Sequence, residues 1–183
     1  MIKDRGGAGL TSPNSPTNPS GGSSLAEGVS FDGSTDGLNI TSLTGVIDSP
    51  TFTFSGWLYS GAGDAYMMRY TNLGISIYGT SNYMRVKAWN TSGAELVNIA
   101  TTAGSRPLNT YINVKVSGDT NGSFYVYVGD TLVGSQVPAT TGNIGFSQEI
   151  SNGLWIGGEP GYRLPLRLSH VFLAYEYLDL SIT

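Results

Sequence analysis

The sequence predicts an all-β protein, an antiparallel β-sandwich preceded by an extended N-terminal arm, and three observations support this prediction. Short segments in which apolar and polar residues alternate recur from Val29 onward, each about as long as a strand. Turns rich in Gly, Asn, Asp and Ser separate these segments, and no stretch has the apolar spacing of a capped helix. Residues 1–28 contain almost nothing that could build a core. One domain, residues 29–183, is therefore expected behind an arm, residues 1–28.

Alternation is clearest in five segments, where every second side chain is apolar, as in a strand with one face on a core. Gly118–Gly122 is a turn signal that joins the last two segments into a predicted hairpin. The final apolar stretch contains Pro165, which fits the entrance or edge of a strand. The five segments are Thr51–Tyr59, Leu73–Tyr78, Tyr83–Trp89, Tyr111–Val116 and Phe124–Val128.

The composition argues against several classes of function. Charged residues make up 12% of the chain, against about 25% in an average soluble protein. The net charge is −4, and the densest cationic group is Arg85 with Lys87, so we expect no binding to nucleic acid or to an anionic membrane. The absence of cysteine excludes thiol chemistry and disulfides. No apolar run approaches the roughly 20 residues of a membrane span, and the first residues do not resemble a signal peptide, so a soluble protein that is not exported by a cleaved signal is expected.

The single histidine, His170, is the residue that could serve as a base or a metal ligand. It alternates with Leu166, Leu168 and Phe172, so we expect it to be mostly buried and hydrogen-bonded to a backbone group. No Ser/His/Asp set is suggested by the spacing, and no glycine-rich loop lies between a strand and a helix.

No cofactor is expected. Calcium is the alternative, because five aspartates occur in predicted turns and carboxylate oxygens are calcium ligands. The favoured interpretation is that these side chains bond to the backbone of their own turns. The five are Asp32, Asp36, Asp64, Asp119 and Asp130.

Two pairs of aromatic residues are predicted to lie opposite the apolar face of their strands. Tyr83 and Trp89 form one pair, and Tyr125 and Tyr127 form the other. If those faces look outward, the rings would be flat platforms on which sugar rings could stack. The alternative is that loops or a neighbouring subunit cover them, and both interpretations remain open.

The N-terminal arm also has two interpretations. Its prolines remove backbone donors and its glycines add freedom, so alone it should be a passive, disordered linker. The hypothesis we favour is an anchoring arm, because ordering each residue costs about 1–2 kcal/mol and a partner surface would supply compensating contacts. The partner-binding residues would then be Ile2, Lys3, Arg5, Leu10, Pro13, Pro16 and Pro19.

Five segments, in order over residues 29–180, resemble the laminin G-like branch of the concanavalin A-like lectin/glucanase superfamily, whose fold is a jelly roll. Tyr111 stands where that family usually has Trp, and Gly129-Asp130 reverses its usual Asp-Gly. The segments are Ser30–Leu38, Phe52–Leu58, the pair Tyr111–Gly118 with Gly122–Asp130, Leu154–Gly158 and Arg167–Ala174.

The glucanases of this superfamily place their acids in an E-x-D-x-x-E pattern on one strand, where alternation points both carboxylates to one face. No two glutamates of this chain share a strand at that spacing, so we expect no enzyme. The glutamates are Glu27, Glu95, Glu149, Glu159 and Glu176.

The amino-acid sequences of these segments are most similar to those of laminin G-like domains in tailed-bacteriophage virion proteins. That resemblance implies a non-enzymatic virion structural protein, of the capsid decoration or head-fibre type, in a particle assembled in the host cytoplasm. The arm would bind capsid or other virion proteins, and a homo-oligomer such as a trimer would stabilise the attachment. The alternative is a glycan-binding adhesin domain of a phage tail or fibre, which recognises host surface carbohydrate.

Overall fold

In a computed structural model, the segments in which apolar and polar residues alternate form β-strands. The structure describes residues 29–32, 37–40, 47–61, 63, 65–70, 74–147, 154–157 and 166–180, and these residues contain twelve strands. The predicted arm, residues 1–28, lies outside this part of the chain. The strands are β1 Val29–Phe31, β2 Leu38–Ile40, β3 Thr51–Ser60, β4 Ala65–Tyr70, β5 Gly74–Thr80, β6 Tyr83–Trp89, β7 Glu95–Ala100, β8 Tyr111–Asp119, β9 Phe124–Val128, β10 Thr131–Gln136, β11 Leu154–Ile156 and β12 Leu166–Ala174.

The strands form two antiparallel six-stranded sheets. Sheet A has the order β1-β12-β3-β8-β9-β10, and sheet B has the order β2-β11-β4-β5-β6-β7. The predicted all-β sandwich is therefore confirmed. In the described ranges there is no helix long and apolar enough to cross a membrane.

The core lies between the sheets and is built from the apolar set of each alternating strand. Phe52 and Phe54 of β3 are fully buried from sheet A, and Met84 and Val86 of β6 are fully buried from sheet B. This is the face that the sequence assigned to the core, because successive side chains of a strand point to opposite sides.

The predicted hairpin forms, but its turn starts one residue later than expected. Strand β8 runs through Gly118 to Asp119, and the Gly122 amide then donates to the Asp119 carbonyl over 3.0 Å. Gly118 is needed for close packing rather than for the turn, because a Cβ there would lie 2.3 Å from Cγ of Phe124. The ring of Phe124 occupies that space in the core.

The prediction that His170 is buried is wrong. Between Ser169 and Phe172, β12 advances three residues while β3 advances two, which is a β-bulge. His170 takes a φ of 50° there, and it, Val171 and Phe172 are all exposed. One inserted residue thus ends the alternation on which the prediction depended.

Arg106 is a buried cation whose role the sequence did not reveal. Its Nη1 donates to the carbonyls of Gly63 and Ser81 over 2.8 and 3.0 Å, and its Nη2 donates to the carbonyl of Gly61 over 3.0 Å. Arg106 therefore joins the segment after β3 to the β5–β6 turn.

Candidate functional site

The four aromatic residues singled out from the sequence all lie opposite the core, but on two different sheets. Tyr83 and Trp89 are on β6 in sheet B, whereas Tyr125 and Tyr127 are on β9 in sheet A. Packed sheets are about 10 Å apart, and these side chains point away from each other. The structure therefore has two separate outward aromatic surfaces, one on each side of the sandwich.

The surface on sheet B combines aromatic rings with cations, and we call it the basic face. The rings of Tyr66 and Tyr78 stack with centroids 4.7 Å apart, and the guanidinium of Arg69 lies 5.0 Å from the Tyr66 centroid. Strand register brings these residues alongside those of β6. The basic face comprises Tyr66, Arg69, Tyr78, Tyr83, Arg85, Lys87 and Trp89.

Positive charge is concentrated on the basic face although the chain is acidic. Six of the nine Lys and Arg residues lie in the described part of the chain, and three of those six are on this face. Lys87 lies 5.8 Å from the ring centroid of Trp89 and 3.3 Å from a carboxylate oxygen of Glu95. Glu95 therefore neutralises Lys87 in part.

Arg85 lies at the centre of the basic face. Register places it between Tyr78 of β5 and Ala100 of β7, and the small side chain of Ala100 leaves room beside the guanidinium. Its Nε is buried and has no hydrogen-bond partner among the described residues. The side chain as a whole is only half-buried, and a hydrogen bond from its guanidinium to a charged acceptor on a ligand would contribute about 1.5–3 kcal/mol.

The surface on sheet A contains a groove of about 260 Å³. Tyr125 and Tyr127 form one side. The other side is formed by residues 177–180, which belong to residues 175–180, the run that we call the C-terminal segment. The lining residues are Ser117, Tyr125, Tyr127, Tyr177, Leu178, Asp179 and Leu180.

Buried hydroxyl groups of sheet A hold the C-terminal segment in place. Thr53 Oγ1 donates to the Glu176 carbonyl over 2.7 Å and accepts from the Leu178 amide over 3.1 Å. The Leu178 amide also lies 3.2 Å from Oγ of Ser117, and Thr51 Oγ1 donates to the Tyr175 carbonyl over 2.9 Å. The segment is thus fixed to the sheet by its backbone, which positions Tyr177 and Asp179 at the groove.

The pKa of the Tyr177 phenol is raised above the ordinary value of about 10. The causes are its partial desolvation, the negative charge of Asp179 and the neighbouring Tyr125 and Tyr127. These four groups therefore lie near one another around the groove. At neutral pH the phenol of Tyr177 is protonated and can donate a hydrogen bond.

The described residues contain no cluster of three His, Asp or Glu side chains that could hold a metal ion. Asp119 accepts from the amide of Asn121 over 2.8 Å, as expected for a turn aspartate, and Asp130 pairs with Lys115 at 3.0 Å. Asp36 and Asp64 lie outside the described residues. Glu95 and Glu176, the glutamates that the structure describes, lie on opposite sides of the sandwich and do not form a catalytic pair.

No protein-family model and no curated protein sequence matches the chain. Solved structures do match. The CBM40 domain of the Ruminococcus gnavus IT-sialidase superposes with a TM-score of 0.64 at 14% identity, over 84% of this chain and 92% of that one. The same domain bound to α2,3-sialyllactose gives 0.59 at 13% identity, with the same two coverages.

Two toxin binding domains are also similar in structure. The binding domain of Paraclostridial Mosquitocidal Protein 1 gives a TM-score of 0.63 at 12% identity, over 83% of this chain and 41% of that one. The binding domain of Botulinum Neurotoxin DC in complex with SialylT gives 0.52 at 15% identity, over 72% and 33%. The chain shares the β-sandwich fold of these structures. The similar structures are described as binding domains rather than catalytic ones, and they show no link to a bacteriophage.

Proposed function

We propose that this chain is a non-enzymatic glycan-binding domain whose basic face binds a sugar that bears a carboxylate. The observation that carries this proposal is Arg85, a half-buried arginine that faces outward among aromatic rings. The order of the two hypotheses from the sequence is therefore reversed, and the glycan-binding alternative becomes the main one. A virion location and capsid decoration stay predictions.

Two kinds of group on the basic face suit an acidic sugar. The guanidinium of Arg85 can donate to a carboxylate through paired N–H groups, a geometry that carboxylates match. The flat ring of Trp89, beside the ammonium of Lys87, can pack against the apolar side of a pyranose ring. A neutral sugar would use the aromatic contact alone, so acidic sugars should bind more tightly.

The similar structures support the same ligand class. One is described as bound to α2,3-sialyllactose and another as in complex with SialylT. Sialyllactose carries a carboxylate, whereas lactose does not. That pair of ligands therefore tests the role assigned to Arg85.

Titration of the full chain with α2,3-sialyllactose and with lactose tests the proposal. Isothermal calorimetry should show tighter binding of sialyllactose. Arg85→Gln should weaken that binding about 10-fold or more, because a hydrogen bond to a charged group contributes about 1.5–3 kcal/mol. Trp89→Ala should weaken it about 5-fold or more, as truncation of an aromatic anchor does.

Arg167→Gln is the matched control. Arg167 is also an arginine beside an aromatic ring, 5.6 Å from the centroid of Tyr59, but it lies on sheet A. The Arg167→Gln variant should bind sialyllactose with the same affinity as the unmodified chain. Equal affinities for sialyllactose and lactose, or equal effects of Arg85→Gln and Arg167→Gln, would contradict the proposal.

A further inference from the structure

We propose that the groove on sheet A is a second sugar site, which accepts one uncharged monosaccharide unit and works independently of the basic face. It lies on the opposite side of the sandwich from Arg85. The proposal goes beyond the function assigned above, because it concerns different residues and a different class of sugar.

The aromatic side of the groove has the dimensions of a sugar platform. Tyr125 and Tyr127 are two positions apart on one face of β9, about 7 Å along the strand. That span is comparable with the breadth of one pyranose ring. Both rings are half-buried, and their strand is hydrogen-bonded to β8 on one side and β10 on the other, so little side-chain freedom would be lost on binding.

The opposite side of the groove supplies polar groups. Tyr177 can donate through its phenol, and the carboxylate of Asp179 can accept from sugar hydroxyls. Ser117 lies beneath them, with its Oγ 2.8 Å from Oγ1 of Thr53 and 3.2 Å from the amide of Leu178. The base of the groove is therefore fixed before any ligand arrives.

Charge at the groove excludes acidic sugars. Asp179 contributes a negative charge, and the neighbouring cation, Lys115, forms an ion pair with Asp130 at 3.0 Å. The described residues that line the groove include no Lys or Arg, so the groove offers a sugar carboxylate no lining cation. The basic face has the opposite preference, so one domain would select two kinds of sugar.

The volume limits the occupant to a small unit. About 260 Å³ is below the roughly 300–1,000 Å³ of pockets that enclose drug-sized ligands. One monosaccharide, at the end or along the edge of a glycan, therefore fits better than an oligosaccharide or a folded protein loop.

Nuclear magnetic resonance titration of the isotope-labelled full chain tests the proposal. The probes are the methyl glycosides of glucose, galactose, mannose, N-acetylglucosamine and N-acetylgalactosamine, together with methyl sialoside. At least one uncharged glycoside should shift the amide resonances of Ser117, Tyr125, Tyr127 and residues 177–180. Methyl sialoside should leave these resonances unchanged.

Substitutions then locate the binding energy. Tyr127→Ala and Tyr125→Ala should each weaken binding of the uncharged glycoside about 5-fold or more, whereas Tyr127→Phe, which keeps the ring, should retain most of it. Tyr111→Ala is the matched control, because Tyr111 is an exposed tyrosine of the same sheet and lies six residues, or about 20 Å, from Ser117 along β8. The Tyr111→Ala variant should bind the uncharged glycoside with the same affinity as the unmodified chain.

Three results would overturn the second site. They are the absence of groove shifts with all five uncharged glycosides, shifts confined to the basic face, and equal losses in Tyr127→Ala and Tyr111→Ala. Failure of the two proposals can be distinguished. Arg85→Gln should weaken sialyllactose binding at the basic face about 10-fold or more, while the uncharged glycoside still shifts the groove resonances.

Discussion

Arg85 and Arg106 differ in burial and in the hydrogen bonds of their Nη atoms. Arg106 is 1% exposed, and its two Nη atoms donate to three backbone carbonyls from two segments of the chain. Arg85 is only half-buried and faces outward on β6. The protein itself holds the guanidinium of Arg106, whereas the guanidinium of Arg85 lies on the face where we propose that the ligand binds.

Arg106→Met should lower the free energy of unfolding by about 3 kcal/mol or more, because three carbonyls would lose a charged donor. Methionine keeps much of the side-chain length and so limits the cavity. Chemical denaturation measures the loss. Arg167→Met, which removes an outward-facing arginine, should cost less than about 1 kcal/mol, and equal losses in the two variants would contradict the structural role of Arg106.

At the level of elements, the C-terminal segment completes the groove because it docks on sheet A through its backbone. Thr53 has a buried hydroxyl that contacts both the carbonyl of Glu176 and the amide of Leu178. Thr53 lies between the core residues Phe52 and Phe54 and therefore points to the outer face of β3. Its hydroxyl pairs backbone groups of the C-terminal segment that would otherwise be buried without a partner.

Thr53→Val should release the C-terminal segment while preserving the shape of the core strand. We expect the affinity for an uncharged glycoside to fall about 5-fold or more and the affinity for sialyllactose to stay unchanged. Paired titrations of the two ligands measure this. Thr131→Val, on exposed β10 of the same sheet, is the control. Loss of both affinities together would show that the segment supports the whole domain rather than the groove.

At the level of the whole molecule, the sandwich separates two surfaces of different charge. The basic face carries Arg69, Arg85 and Lys87, whereas the groove carries Asp179. Because the core lies between them, they share no side chain, and ligands at sites without shared partners bind additively. The net charge of the chain is −4, although the basic face carries three of its cationic side chains.

Salt should therefore distinguish the two surfaces. Raising the salt concentration from about 0.01 M to about 1 M shortens the Debye length from roughly 30 Å to roughly 3 Å. Sialyllactose binding should weaken steadily over that range, and binding of the uncharged glycoside should not change. Calorimetry at several salt concentrations measures both. Salt-independent binding of sialyllactose would argue against recognition of its carboxylate.

The sequence predicted the core face of the clearly alternating strands and placed the two aromatic pairs opposite that face. Both follow from the period of two along a strand, which is a local property of the backbone. Tyr83, Trp89, Tyr125 and Tyr127 accordingly lie opposite the core. His170 is the exception, because the bulge in β12 adds one residue and no local signal marks it.

Only the tertiary structure decided which of these residues act together. Pairing between strands depends on contacts between distant segments, so alternation could not show that β6 and β9 belong to different sheets. Nor could it place Arg69 and Tyr78 beside Arg85, or bring Tyr177 across to Tyr125. The sequence by itself determined the sandwich and its outward rings. The long-range pairing of the strands placed the two predicted aromatic pairs on opposite surfaces, because strand partners are set by contacts between distant segments.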